Sequence, residues 1–333
     1  MRNICLCSLL FVSLQQNLIN SRMKQFTTTI IGSGSAKPRN GNLSSCQLLN
    51  YNNQLWLIDC CDGACTEMLR MEISINKIER IFITHAHGDH CLGLPCLIAT
   101  MGLNGKTTPL TVYAPEYVFE ILRPVVNAMC GELALPFEIT YQVVHAERDD
   151  STEVIYGDKD LNVQIVPLRH GKVETYGYVF SEQLKKRHIN IEAVQKYNIP
   201  RKNYEYIREH DWTLEDGTVI PNSELTTDPE PVRSYAYISD TGRFDGLAFM
   251  LNGVTTLYCE ASFMDCDQEL ANKWGHCTST DAAMLAHDAE TVKRLIIGHI
   301  SARYNSVSDS VFEAKRIFEA TYHADRTRVI AIE

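Results

Sequence analysis

The stretch Ile81-Phe-Ile-Thr-His85-Ala-His87-Gly-Asp89-His90 places four metal-capable side chains within six residues, directly after a β-rich run. Imidazole nitrogens and carboxylate oxygens are suitable ligands for zinc and similar divalent ions. Because His85 and His87 alternate along a strand-end loop, both are predicted to face one ion. Asp89 and His90 follow at the point where we expect a second ion. One loop histidine is common, but three histidines and an aspartate in this pattern indicate a metal site.

A dinuclear site needs further ligands, and His170, Asp240 and His299 each come directly after a β-rich run. Strand ends on one edge of a sheet bring such groups together, although each residue alone is as often structural. Two metals a few ångströms apart activate water and clamp both oxygens in a phosphoester displacement. We expect Asp240 to bridge the two ions. Asp89 lies close to the bridging water and is expected to accept its proton.

The composition is that of an ordinary globular protein of 333 residues, 45% hydrophobic and 22% charged. Disorder, collagen and coiled coil are therefore excluded. With 31 basic and 41 acidic side chains, the net charge of −10 argues against a broad basic coat for nucleic acid. Twelve cysteines without a CxxC pair exclude a four-cysteine zinc ribbon and favour reduced thiols in a cytoplasmic protein.

Strands and helices alternate along the chain, which predicts an α/β sandwich. The β-rich runs lie at 26–31, 45–50, 54–58, 80–84, 110–114, 139–144, 161–167, 176–180, 234–239, 254–259, 293–298 and 328–332. Helical periodicity predicts helices at 62–72, 90–103, 115–130, 189–198, 279–290 and 309–322.

The N-terminal segment 1–22 is expected to be an over-extended start or a loose tail that precedes a domain at 23–333. Its apolar run at 4–14 lacks a small-x-small cleavage site and is too short to span a bilayer. No other stretch is apolar enough to cross a membrane, so no membrane partner is expected.

The stretch 182–233 is charged, aromatic and turn-rich, which predicts an insertion that projects from the sandwich. Within it, 185–208 carries seven basic and two acidic side chains, a net charge of +5. Tyr204 and Tyr206 are expected either to stack on bases or to pack under the insertion. The basic residues are Lys185, Lys186, Arg187, Lys196, Arg201, Lys202 and Arg208.

His85-Ala-His-Gly-Asp-His90 is the HxHxDH signature of the metallo-β-lactamase fold, and over about 24–333 the chain resembles ribonuclease Z, a family of tRNA 3′-processing endonucleases. The resemblance implies a four-layer αβ/βα sandwich with an inserted projecting arm. Its most specific parts resemble the family's HST loop and HxSxRY ending, although Cys277 stands where Ser is usual. The further matching segments are Gly32–Pro38, Ile58–Ala64, Pro167–His170, Ser239–Thr241, Trp274–Thr280 and Ile297–Tyr304.

The resemblance also implies two Zn²⁺ per chain, with Mn²⁺ or Mg²⁺ as substitutes, and a full ligand set. His85, His87 and His170 would hold one ion. Asp89, His90 and His299 would hold the other, and Asp240 would bridge them.

Further roles follow from the same resemblance. His276 would donate a proton to the leaving 3′ oxygen, and Glu260 would orient it, unless Glu260 is only a strand-end carboxylate with local hydrogen bonds. Ser301 and Arg303 would grip phosphate, for which the forked Arg side chain is suited. The insertion would be a tRNA-binding arm.

The implied function is cleavage of precursor tRNA after the discriminator nucleotide, which leaves a 3′-hydroxyl on the tRNA and a 5′-phosphate on the trailer. The family also implies a homodimer in which one subunit's arm presents tRNA to the other subunit's site. Two alternatives stay open: a small-molecule phosphodiesterase or arylsulfatase of the same fold, and a non-catalytic RNA-binding relative.

Overall fold

The computed structural model describes residues 24–37, 41–131 and 135–333. The expectation for residues 1–22 lies outside these ranges. Within them, two mixed β-sheets pack face to face and carry helices on their outer faces. None of the described helices is long and apolar enough to cross a membrane.

The first sheet is antiparallel from Val329–Ala331 to Gln54–Ile58 and parallel from Gln54–Ile58 to Ile139–Val143. In spatial order its described strands are Val329–Ala331 (β18), Phe26–Gly32 (β1), Cys46–Tyr51 (β2), Gln54–Ile58 (β3), Ile78–Phe82 (β4), Leu110–Ala114 (β5) and Ile139–Val143 (β6).

The second sheet is parallel from Thr321–His323 to Ser234–Ile238 and antiparallel from Ser234–Ile238 to Glu153–Gly157. In spatial order its described strands are Thr321–His323 (β17), Arg294–Gly298 (β16), Thr256–Glu260 (β15), Ser234–Ile238 (β14), Val173–Glu182 (β9), Leu161–His170 (β8) and Glu153–Gly157 (β7).

Helices cover the outer faces of both sheets and part of the insertion. The described α-helices are Ala64–Arg70 (α1), Gly88–Cys91 (α2), Leu94–Leu103 (α3), Glu116–Cys130 (α4), Ile191–Lys196 (α5), Tyr204–Ile207 (α6), Asn222–Leu225 (α7), Leu247–Met250 (α8), Gln268–Trp274 (α9), Ser279–Asp288 (α10) and Val307–Lys315 (α11). Short 3₁₀ turns lie at Ile75–Lys77, Arg201–Asn203 and Asp265–Asp267.

Three apolar layers hold these elements together. The layer between the sheets is aromatic: Phe82 stacks on Tyr113 at 4.8 Å, and Tyr237 on Tyr258 at 4.7 Å, between ring centroids. One outer layer packs α1, α3 and α4 on the first sheet, and the other packs α8, α10 and α11 on the second. Each large apolar side chain buried in this way stabilises the fold by about 1.5–3 kcal/mol. The three apolar layers separate four layers of secondary structure, helices, sheet, sheet and helices, as the four-layer αβ/βα sandwich predicts.

A few helices and strands differ from those predicted by the sequence pattern. The helix predicted over 309–322 ends at Lys315, because Thr321 pairs with Leu295 in the second sheet. Strand β7 and helix α9 were not predicted, since both are short and carry little apolar periodicity.

The insertion, residues 183–233 between β9 and β14, has a small apolar core of its own. Helices α5, α6 and α7 pack there with two ribbons of two strands each. These strands are His188–Ile189 (β10), Trp212–Thr213 (β11), Val219–Ile220 (β12) and Thr226–Thr227 (β13). Tyr204 packs against this core, whereas Tyr206 is half exposed and stacks on His210 at 4.6 Å.

Candidate metal centre and active site

The metal-capable side chains lie where strands end. His85 follows β4, His170 closes β8, Asp240 follows β14, and His299 follows β16. The loop after β4 leads into α2 and then to Gly93, whose amide donates to the Cys60 carbonyl at 2.9 Å. A Cβ at that glycine would lie 2.0 Å from the Cys61 carbonyl oxygen, so the close approach requires glycine.

Asp240 stands between two groups of histidines. Its Oδ2 lies 3.7 Å from His85 Nε2 and 3.8 Å from His170 Nε2. Its Oδ1 lies 3.4 Å from His90 Nε2 and 3.2 Å from His299 Nε2. One carboxylate therefore faces both groups with different oxygens, as a bridging ligand requires.

Each of the two histidine groups includes one further metal-capable side chain. His87 Nδ1 lies 3.3 Å from His170 Nε2, on the Oδ2 side of Asp240. Asp89 Oδ2 lies 3.4 Å from His90 Nε2 and 3.6 Å from His299 Nε2, on the Oδ1 side. All seven side chains of the predicted ligand set are thus brought together. The described residues form three groups whose ligand atoms lie within 4.8 Å of one another: His85, His87, His170 and Asp240; Asp89, His90 and His299; and Asp240, His276 and His299. The first two groups together contain the predicted ligand set, and the third adds His276.

Hydrogen bonds on the outer nitrogens of His170 and His90 leave their other ring nitrogens facing Asp240. His170 Nδ1 donates to the Gly275 carbonyl at 3.1 Å, and His90 Nδ1 donates to the Asp59 carboxylate at 2.7 Å. The inward nitrogens of His85, His90 and His299 are buried without a hydrogen-bond partner, as is Asp89 Oδ2. Buried polar atoms without partners are costly, and divalent cations between them would satisfy all of them. The donor set therefore fits a divalent metal centre.

Burial and neighbouring charges shift the pKa values of the cluster in both directions. Burial raises the pKa of the Asp240 carboxyl, but His299 and His90 outweigh it and hold that pKa well below its usual range. Burial lowers the pKa of His90, but Asp240 and Asp59 raise it well above the usual value. At His85, burial dominates and the pKa is well below the usual value.

A second set of contacts links His276 to the cluster. Its Nδ1 lies 2.7 Å from Glu260 Oε1, at the end of β15. Ser262 Oγ donates to Glu260 Oε2 at 2.5 Å and lies 2.7 Å from His299 Nδ1. Burial lowers the pKa of His276, but the fully buried Glu260 carboxylate outweighs it and raises that pKa to about 9. Glu260 therefore favours the protonated form of His276 beside the metal cluster.

Two residues of this network, Asp59 and Ser262, were missed as site residues. Asp59 is fully buried after β3, accepts from the Thr84 amide at 2.8 Å and the Tyr237 hydroxyl at 3.1 Å, and orients His90. Its position after a β-rich run is the signal that identified Asp240. Ser262 lies two residues beyond Glu260, within a segment already singled out.

A cleft of about 550 Å³ opens above the cluster. His276 and Ser301 line it, while Arg303 lies outside the lining residues. The Arg303 guanidinium stacks 5.0 Å from the Phe263 ring and pairs with Asp267 at 3.5 Å. Three lysines that sequence reasoning did not single out also line the cleft, namely Lys37, Lys172 and Lys273.

The basic residues of the insertion lie away from this cleft, and carboxylates of the same segment pair with several of them. The pairs are Lys186–Glu205, Arg208–Glu205, Arg187–Asp228 and Lys196–Glu224. Over 185–230 the chain carries seven basic and nine acidic side chains, a net charge of −2. The +5 of residues 185–208 is therefore offset by the returning half of the insertion.

Sandwich and metal cluster together define a metal-dependent hydrolase of the metallo-β-lactamase fold. Proteins named ribonuclease Z from Parabacteroides distasonis and Porphyromonas gingivalis are 38% and 37% identical to this chain, over 90% and 92% of its length and 96% and 99% of theirs. The family model described as Anti-Pycsar protein Apyc1 matches residues 26–234. The chain thus belongs to the ribonuclease Z family, and also to the family that this model describes.

Solved structures share the fold. The crystal structure of the short form of human tRNase Z has a TM-score of 0.64 at 22% identity, covering 92% of this chain and 99% of its own. A metallo-beta-lactamase fold protein from Bacillus subtilis has a TM-score of 0.63 at 15% identity, with 92% and 99% covered. The Apyc1 model ends before Asp240, whereas the ribonuclease Z relatives match about nine-tenths of the chain. The predicted fold class and family are confirmed.

Proposed function

We propose that this nuclease is a zinc-dependent endoribonuclease that removes the 3′ trailer of precursor tRNA after the discriminator nucleotide. The products are a tRNA 3′-hydroxyl and a trailer 5′-phosphate. The observation that carries the proposal is the Asp240 carboxylate facing two histidine groups, with His276 paired to Glu260 beside them, in a chain of the ribonuclease Z family.

Two zinc ions fit the two clusters. His85, His87 and His170 would hold one, Asp89, His90 and His299 the other, and Asp240 both. When bound, the ions activate water and neutralise charge on the phosphodiester. Metal analysis of purified protein should find about two ions per chain, and full activity in metal-free protein would contradict the assignment.

Asp89 and His276 would move the protons. The buried Asp89 Oδ2 has no hydrogen-bond partner, which supports a role in accepting the proton of the attacking water. His276 contacts Glu260 and lines the cleft, which supports a role in donating a proton to the leaving 3′ oxygen. Ser301 in the cleft, and Arg303 behind Phe263, would contact the phosphates of the flanking nucleotides.

The insertion, residues 183–233, would serve as the tRNA-binding arm through its basic side chains that form no ion pair within the described residues. These are Lys185, Arg201 and Lys202. Their joint replacement by Ala should weaken binding of precursor tRNA and reduce its salt dependence. The matched control replaces Lys186 and Lys196, whose charges are already paired with Glu205 and Glu224, and should have a smaller effect. Equal effects would contradict this role.

We also propose a cytoplasmic homodimer. The described cysteines are free thiols, which fits a reducing compartment. Leu103 of α3, 79% exposed, and Met129 of α4 border an apolar groove of about 360 Å³ on the outer helices of the first sheet. Sedimentation velocity should find a dimer that Leu103→Glu dissociates, while Phe249→Glu on the second sheet's helices leaves it intact.

The direct test is incubation with a 3′-extended precursor tRNA, with and without a chelator, followed by analysis of the new ends. Cleavage after the discriminator nucleotide that the chelator abolishes is the expected result. Hydrolysis of small phosphodiesters without cleavage of precursor tRNA would favour the small-molecule phosphodiesterase. Binding without cleavage, in protein that holds its metals, would favour the non-catalytic relative.

A further inference from the structure

One large aromatic side chain of the cleft is exposed. Trp274, the last residue of α9, is 57% exposed and lines the cleft together with His276. The other aromatic ring among the described lining residues, Phe263, is only 6% exposed and forms part of the wall. An indole that stays more than half exposed beside a polar cluster is available to a ligand.

The backbone around Trp274 is fixed to the metal cluster. Gly275 has a positive φ of 69°, and a Cβ at that position would lie 3.0 Å from the Gly171 amide nitrogen. The carbonyl of Gly275 accepts from His170 Nδ1 at 3.1 Å, and the His276 amide donates to the Ala271 carbonyl at 3.0 Å. The backbone that carries the indole is therefore held between His170, a proposed metal ligand, and His276, the proposed proton donor.

A cation accompanies the ring. The Lys273 ammonium lies 5.2 Å from the centroid of the Trp274 ring, lines the same cleft and forms no ion pair within the described residues. A π-face next to an unpaired ammonium is the combination that binds a nucleotide, because the base stacks and the phosphate is neutralised.

We infer that Trp274 and Lys273 form a nucleotide subsite in which the indole stacks on the base of the discriminator nucleotide and the ammonium contacts its phosphate. This inference rests on the proposed function. The discriminator nucleotide is assigned because it carries the leaving 3′ oxygen, and Trp274 lies two residues from His276, the proposed donor to that oxygen. Stacking is indifferent to base identity, so the subsite accepts all four discriminator bases.

Precursor tRNAs with a single abasic nucleotide test the contact from the substrate side. With wild-type protein, an abasic discriminator position should raise KM by roughly 10-fold or more, the effect expected from loss of one stacked base. An abasic first trailer nucleotide should change KM much less. The opposite pattern would overturn the assignment to the discriminator. Failure to cleave even the intact precursor would refute the proposed function instead.

Variants test it from the protein side. Trp274→Ala should raise KM for the intact precursor roughly 10-fold with little change in kcat, and the abasic discriminator should then add no further penalty. Trp274→Phe should retain most of the binding. Phe249→Ala, which removes another exposed ring outside the cleft, is the matched control. The inference would be overturned if the abasic discriminator raised KM as much in Trp274→Ala as in wild type. Equal melting temperatures of the two proteins would show that both are folded in this comparison.

Discussion

The Glu260–His276 pair offers the most direct test of the proposed proton donor. Glu260 Oε1 lies 2.7 Å from His276 Nδ1, and the carboxylate is fully buried. Glu260→Gln keeps the shape and removes the charge. Because this charge raises the pKa of His276 to about 9, the variant should lose the proton from His276 at a much lower pH.

The expected effect depends on pH. At pH 8 a histidine of pKa about 9 is about 90% protonated, whereas one at the ordinary value of 6.5 is about 3% protonated. A step that uses this proton should therefore slow about 30-fold or more at pH 8, and the defect should shrink as the pH falls to 6, because burial lowers the pKa of His276 once the Glu260 charge is removed. Bound cations would lower the pKa of His276 in both proteins, so the difference between the two pH profiles is the quantity to compare.

Single-turnover cleavage of precursor tRNA from pH 6 to 9 measures this difference. A precursor with sulfur in place of the leaving 3′ oxygen provides the second readout, because a thiolate leaves without protonation. The Glu260→Gln defect should shrink on that substrate. Asp325→Asn is the matched control, because Asp325 also lies 2.7 Å from a histidine, His323, but is exposed and outside the cleft.

Two results would refute this reasoning. One is a Glu260→Gln profile that coincides with wild type across the pH range. The other is a uniform loss of rate at every pH that the sulfur substrate does not reduce, since this would assign Glu260 to folding or metal retention. Metal content measured on the same samples separates these last two roles.

Three further predictions concern the cluster and its supports. Asp240→Asn should lower the metal content from about two ions per chain to about one or fewer, measured by plasma mass spectrometry after dialysis, because both sites lose a charged ligand. Asp59→Ala should lower the free energy of unfolding by about 3 kcal/mol or more in urea titrations, because it removes the carboxylate from buried His90. In metal-free protein the raised pKa of His276 stabilises the fold fully below pH 6.5, and this contribution is lost as the pH rises through about 9. The stability difference between wild type and Glu260→Gln should therefore shrink from pH 6 to pH 10; a constant difference would contradict the linkage.

The sequence predicted the fold and the cluster because both depend on local signals that recur. Alternating runs located most strands, and placement after a strand singled out His170, Asp240 and His299. The sheet then brings these ends to one edge, with separations along the chain that no local pattern encodes. Hydrophobic periodicity does not predict which side chains distant in sequence contact each other, such as His90 and Asp59, which are 31 residues apart. Helix α9 is short and has little apolar periodicity, so neither the helix nor the exposed position of Trp274 at its end was predicted.

The net charge of a sequence segment was also a poor guide to its surface charge, because it does not show which charged side chains pair in space. The run at 185–208 has a net charge of +5, but four of its basic side chains meet carboxylates of the same insertion in space. The net charge of −10 also misstates the cleft, where Lys37, Lys172 and Lys273 surround a cluster built to hold dications. Once such ions are bound, the carboxylates of the cluster no longer repel phosphate. We therefore expect the proposed RNA binding to depend on a few local contacts at the cleft and the insertion, and its salt dependence to reflect those contacts rather than the total charge.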